Sequence, residues 1–174
     1  MNQGITKITL MGYMGSGKST VGQILGEKLD WPFIDLDDYI SEKEGLDIPE
    51  IFEAKGEIYF RKMENAYLLE LLNSNEQFVL ALGGGTPCYA NNMDAILEHS
   101  DSYYLKASIG TLSERLIKEK EHRPLIASLS EEQLTEFIAK HLFERRNFYE
   151  QAETTIAIDG KKPELIASEI YQSR

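Results

Sequence analysis

Gly12-Tyr13-Met14-Gly15-Ser16-Gly17-Lys18-Ser19 fits G-x-x-x-x-G-K-[ST], the loop that wraps nucleotide phosphates. Its flanks carry the context that the motif requires. Ile5 to Met11 is β-branched and apolar, as a buried strand demands. After Ser19, the apolar positions Val21, Ile24, Leu25 and Leu29 fall on one face of a helix. The glycines let the backbone curl and turn its N–H groups inward, and the helix N-terminus adds about half a positive charge. Lys18 can then reach the β- and γ-phosphates, and the Ser19 hydroxyl is placed to ligate Mg²⁺. The loop implies ATP or GTP binding but leaves the fate of the phosphate open.

Outward from the loop, strand-like runs recur at Phe33–Asp35, Phe78–Leu82, Ser102–Lys106 and Thr154–Ile158. Helical patterns alternate with them, at about Asp37–Glu44, Ile48–Lys55, Tyr59–Asn73, Asn92–Glu98, Ile109–Lys118, Glu131–Tyr149 and Glu164–Gln172. This alternation predicts an α/β fold with a parallel sheet covered on both faces, its ligands beyond the carboxyl ends of the strands. A length of 174 residues suits one domain with a real core. No apolar run is long enough for a membrane span, and the chain enters a strand almost at once, so neither a membrane anchor nor a leader is expected. The single cysteine, Cys88, allows no internal disulfide, which suits a reducing cytoplasm. A formal net charge of −11 without a basic patch argues against polynucleotide partners. It also makes each arginine near a glycine loop a candidate for anion binding.

Three further clusters lie at strand ends or in adjoining segments. Asp35-Leu36-Asp37-Asp38 places two carboxylates on one side if the chain stays extended, suited to Mg²⁺ and a substrate hydroxyl. Asp37 or Asp38 could equally cap the helix that follows. Arg61 and Glu64 are i,i+3 neighbours that can pair, either at a site or as a solvated surface pair. Gly83-Gly84-Gly85-Thr86 after an apolar strand suggests close approach of a ligand to the backbone, or a tight turn. The third strand thus runs into Gly83, where an ordinary Walker B strand would carry an aspartate. His99, His122 and His141 lack metal-ligand spacing and are expected on surfaces or helix ends. Cys88 is expected as a packed thiol, and Trp31 as a core or turn anchor.

Taken together, these motifs resemble the shikimate kinase family over nearly the whole chain: the glycine loop Gly12–Ser19, D-x-D at Asp35–Asp37, F-R-x-x-E at Phe60–Glu64, G-G-G at Gly83–Gly85, R-P-L at Arg123–Leu125, and Glu144-Arg145 with Tyr149. The resemblance implies a nucleoside-monophosphate-kinase-like three-layer fold with a five-stranded parallel sheet. It also implies a substrate-binding helical segment near residues 37–72 and a short lid near 119–129. The implied reaction moves the γ-phosphoryl group of ATP to the 3-hydroxyl of shikimate, on the route to chorismate and the aromatic amino acids. Gly15, Ser16, Gly17, Lys18, Ser19 and Thr20 would hold the nucleotide, with Arg115 stacking on adenine and Lys162 lining its pocket. Ser19 and Asp35 would hold Mg²⁺. Asp37 would orient or deprotonate the attacking hydroxyl, and Arg61, Gly83, Gly84, Gly85 and Arg145 would bind shikimate. Arg123 would reach the phosphates from the lid, completing a catalytic set with Lys18 and Asp37. The family's R-N-P-L-Y is here Arg145-Arg146-Asn147-Phe148-Tyr149. The spacing to Tyr149 favours Arg145 for the carboxylate, since Arg146 points about 100° away. A monomer is the family expectation. The loop by itself also admits another small-molecule kinase, or a nucleotide-dependent binding protein without phosphoryl transfer.

Overall fold

The computed structural model describes residues 6–174; Ile5, read above as the start of the first strand, lies outside them. In chain order come β1 (Lys7–Met11), α1 (Lys18–Leu29), β2 (Phe33–Asp35), α2 (Leu36–Glu44), α3 (Ile48–Leu72), β3 (Phe78–Ala81) and α4 (Asn92–His99). These are followed by β4 (Asp101–Lys106), α5 (Ile109–Glu119), α6 (Glu131–Tyr149), β5 (Thr154–Ala157) and α7 (Pro163–Gln172). Among the described residues, five parallel strands pair in the order β2-β3-β1-β4-β5, flanked by helices. The alternation of strands and helices anticipates a parallel α/β sheet, and the family resemblance its five strands; the strand order comes from the structure.

The central strand β1 is buried along its length, including Lys7 and Thr9 between its apolar residues, as a strand covered on both faces is. Its neighbours β3 and β4 lead away to opposite sides, so the crevice beyond its carboxyl end is a topological switch point, where α/β sheets bind ligands. The phosphate loop leaves β1 there, and the triple glycine leaves β3 beside it. Ile8, Leu10, Val79, Leu80 and Leu105 form the centre of the core. On α1 the buried face is turned from the expected stripe: Val21 and Leu25 are buried, but Ile24 and Leu29 only partly so. Gly22 and Gly26 take their place, because Phe33 packs so close that a Cβ on Gly22 would lie 2.4 Å from its ring.

The two helical patterns at 48–55 and 59–73 are one element, α3, broken by non-helical backbone at Gly56 (φ 84°, ψ 170°). Asp47 starts it with a capping box to Glu50, and Ser130 starts α6 with a capping box to Gln133, as the Ser-x-x-Gln spacing predicts. α1 packs against α7, α2 against α3, and α5 against α6. No helix among the described residues is long and apolar enough to cross a membrane.

Candidate active site

Two cavities meet above the carboxyl ends of β1 and β3. The first, about 410 Å³, is lined by Gly15, Gly17, Lys18, Ser19, Thr20, Asp35, Arg115 and Pro163, among others. Gly15 and Gly17 hold φ of +82° and +90°, which L side chains adopt only under strain. The Lys18 ammonium folds back over the loop and donates to the carbonyls of Gly12 (2.8 Å) and Tyr13 (3.1 Å). Burial pulls its pKa down to about 8, against the pull of Asp37 and Asp35. Ser16 is buried beneath the loop; its N–H donates to the Tyr13 carbonyl, and its hydroxyl has no partner among the described residues. Arg115 reaches across from α5 and donates to the Gly15 carbonyl (3.1 Å).

The Asp35 carboxylate does two things at once. One oxygen accepts from the Ser19 hydroxyl (2.7 Å), and the other caps α2 by accepting from the Asp37 N–H (3.0 Å). Capping therefore falls to Asp35, not to Asp37 or Asp38. The chain turns helical at Leu36, which is fully buried, so Asp37 reaches the cleft from the first turn of a helix and not by strand alternation. Burial raises the Asp37 pKa to about 6, with Asp35 and Glu64 adding to the rise and Lys18 opposing it.

The second cavity, about 340 Å³, has an arginine floor and an apolar wall. Arg61 donates to Glu64 at 2.8 Å, and its guanidinium lies 4.0 Å from the Tyr89 ring centre. Glu64 is 1% exposed and accepts a second bond from the buried Thr86 hydroxyl (2.9 Å). Arg61–Glu64 is thus a buried link from α3 to the loop after β3, not a solvated surface pair. Each glycine of the triplet yields room to one site group. A Cβ on Gly83 would sit 3.3 Å from Asp37 Oδ1, one on Gly84 3.3 Å from an Arg145 nitrogen, and one on Gly85 2.8 Å from an Arg61 nitrogen. No residue of the triplet has positive φ, so close approach and not turn geometry calls for the glycines. The Tyr149 hydroxyl donates to the Gly84 carbonyl. Ile48, Phe52, Phe60 and Leu125 form the apolar side.

Met14, Asp37, Gly83, Gly84 and Arg123 line both cavities. Arg123 follows the turn Lys120–His122 and is held by Glu119 through Nε (3.1 Å) and a terminal nitrogen (2.8 Å).

Against this geometry, the shikimate kinase model matches residues 14–173. The chain belongs to the shikimate kinase family. A shikimate kinase of Flavobacterium johnsoniae is 54% identical over 157 residues, 89% of this chain and 91% of its own. The crystal structure of shikimate kinase from Bacteroides thetaiotaomicron superimposes with a TM-score of 0.90 at 33% identity, covering 97% of both chains. Shikimate kinase from Acinetobacter baumannii, solved in complex with shikimate, gives a TM-score of 0.88 at 33% identity over 98% of this chain and 93% of that one. Shikimate kinases take their phosphoryl group from ATP, so the substrate class expected from the motifs is the family's own.

Most residues singled out on shikimate kinase resemblance converge on the paired cavities. Lys162 does not: it is exposed at the start of α7, and its neighbour Pro163 lines the phosphate-loop cavity instead. Arg146 also lies apart, over the Phe143 ring, while Arg145 enters the second cavity. His141 departs from expectation. It sits mid-helix in α6, half-buried, with Nδ1 3.0 Å from the Tyr13 hydroxyl. The apolar wall, Tyr89 and the grip of Glu119 on Arg123 have no place in the sequence motifs. The last had an i,i+4 signal; the others did not. Cys88 is a half-buried thiol whose pKa burial raises, in keeping with packing.

Proposed function

We propose that this chain carries out its family's reaction with one cavity for ATP, the other for shikimate, and Asp37 and Arg123 at their junction. The reaction is transfer of the ATP γ-phosphoryl group to the 3-hydroxyl of shikimate, giving shikimate 3-phosphate and ADP, within aromatic amino-acid biosynthesis. The observation that carries the division of labour is that the two cavities share Asp37, Arg123, Gly83 and Gly84, and that Lys18 lines only the phosphate-loop side.

Gly15 to Thr20 hold the phosphates, Arg115 flanks the adenine, and Lys162 is at most a peripheral part of that pocket. Two hard oxygen donors side by side, Ser19 Oγ and Asp35 Oδ2, suit Mg²⁺, which takes one or two protein groups and completes its shell with phosphates and water. When bound, the ion neutralises charge on the β- and γ-oxygens. On the acceptor side, Arg61 and Arg145 supply planar guanidinium groups matched to the shikimate carboxylate. Gly83 to Gly85 let the ligand approach the backbone. Asp37 accepts the hydroxyl's hydrogen bond, aims the oxygen, and takes its proton as the phosphoryl group arrives. A carboxyl with a pKa of about 6 is ionised at neutral pH yet basic enough to take a proton late in a loose transition state. Lys18 and Arg123 balance the migrating charge.

Residues 37–72 form the shikimate-binding segment and 119–129 the lid, within one catalytic domain. The buried Ile126 anchors the middle of the lid and the bond from Lys120 Nζ to the Leu129 carbonyl (2.7 Å) ties its ends, while Leu125, at the cavity rim, is largely exposed. Closure brings Arg123 from Glu119 to the phosphates and shuts out water. We place the enzyme in the cytoplasm as a monomer.

The test is ADP release with Mg²⁺ and ATP, with and without shikimate, with mass detection of the product. Shikimate-dependent release and a product heavier by one phosphoryl group are expected. Slow release indifferent to shikimate, from folded protein that binds ATP, would overturn the acceptor.

A further inference from the structure

We infer that His141 is a positioning residue for phosphoryl transfer: through the Tyr13 hydroxyl it locks the phosphate loop to the helix that carries Arg145. The inference rests on the function proposed above but adds a residue with no place in the motifs.

Tyr13 is the first variable position of the glycine loop, and three of its groups are engaged. Its carbonyl accepts from Lys18 Nζ and from the Ser16 N–H, each at 3.1 Å, so the placement of this peptide sets the placement of the ammonium. Its ring is 1% exposed and lies 5.8 Å from the Arg145 guanidinium. Its hydroxyl meets His141 Nδ1 at 3.0 Å, across 128 residues of sequence. Burial raises the Tyr13 pKa to about 12, so the hydroxyl keeps its proton and can donate it to Nδ1 of an imidazole protonated at Nε2. Burial and the nearby Arg145 lower the His141 pKa, which favours the neutral, accepting imidazole. Phe137 packs on that imidazole one turn earlier, with ring centres 4.3 Å apart, and fixes its orientation.

His141, Arg145 and Tyr149 are i, i+4 and i+8 on α6 and share a face. The three touch, in turn, the phosphate loop at Tyr13, the acceptor cavity, and the Gly84 carbonyl. One helix face therefore registers the donor loop against the acceptor loop. Packing alone needs only a phenyl ring at position 13. The hydroxyl and its distant acceptor are needed only if the register of the loop matters, because misplacement by about 1 Å costs rate out of proportion to stability.

The experiment is a double-mutant cycle on kcat with saturating ATP and shikimate, using Tyr13→Phe, His141→Leu and their combination, with His141→Asn as the conservative rescue. Each single change is expected to lower kcat about fivefold, with KM for shikimate within about twofold. The double variant should be no worse than the poorer single, and Asn, whose amide oxygen can accept in place of Nδ1, should recover most of the loss. Unchanged kcat in both singles, or losses that multiply in the double variant, would overturn the inference. Should His141→Leu fail to fold, Tyr13→Phe with His141→Asn carries the same test. If the wild-type chain shows no shikimate-dependent turnover, the functional reading falls on its own. The cycle then runs on ADP affinity, which both single changes must lower to the same degree if the pair fixes the loop.

Discussion

The phosphate-loop cavity takes Gly15, Gly17, Lys18, Ser19 and Thr20 from one short stretch, whereas the second cavity, proposed for the acceptor, gathers Arg61 from α3, Gly83 to Gly85 after β3, and Arg145 from α6. On the reading proposed above, the first would work largely through backbone N–H groups whose direction the loop dictates. The second would work through side chains whose direction depends on buried partners: Glu64 and Thr86 behind Arg61, Tyr13 and Tyr149 around Arg145. A cavity made of contiguous backbone resists most side-chain changes outside the loop. One assembled from three elements is exposed to damage in any of them, and specificity is easiest to alter there.

The sharpest ways to break this contrast lie at the phosphate loop and where the cavities meet. Lys18→Met should lower kcat by about a thousandfold, since it removes a charge that acts on the transition state, and single-turnover product formation would measure it. Asp37→Asn should cost about a hundredfold or more in kcat, yet leave a more stable protein. The sign follows from linkage. The folded pKa of Asp37, about 6, lies above its unfolded value of 3.8, so its contribution to stability is complete below about pH 4 and lost as pH rises through about 6. At pH 7 the half-buried carboxylate therefore destabilises the fold, and thermal melting should show a gain of at most about 3 kcal/mol for the amide, less where water screens it.

Arg145→Ala against Arg146→Ala sharpens the acceptor side. The first should lower kcat/KM for shikimate by about a hundredfold and the second by less than about twofold, because only Arg145 faces the cavity. The mildest effect is that of pH. The profile of kcat/KM should fall below about pH 6 as Asp37 protonates and above about pH 8 as Lys18 loses its proton. Bound phosphates hold Lys18 charged, so kcat at saturating ATP should lose the alkaline limb first.

How far each region could be read from sequence follows the same division. The phosphate loop carries its geometry in its own spacing, and the flanking strand and helix obey their apolar periods. Asp35 and Asp37 were legible as a pair but not in their division of labour, because a cap depends on where the helix begins, and it begins at Leu36. Arg61–Glu64 has the spacing of an exposed i,i+3 pair; its burial comes from Thr86 on another element, which no local pattern encodes. Tyr13–His141 spans 128 residues and has no periodic signal at all. That Arg61, the triple glycine and Arg145 share one cavity was foreshadowed only by family resemblance, which carries long-range contacts that composition and period do not.

We propose that donor and acceptor bind in separately built cavities joined at Asp37 and Arg123. Calorimetric titration of Arg61→Ala with ADP and, separately, with shikimate decides this. ADP affinity should stay within about threefold of wild type and shikimate affinity should fall about a hundredfold, because Arg61 lines only the second cavity. Shikimate affinity unchanged, or ADP and shikimate lost together from folded protein, would contradict it.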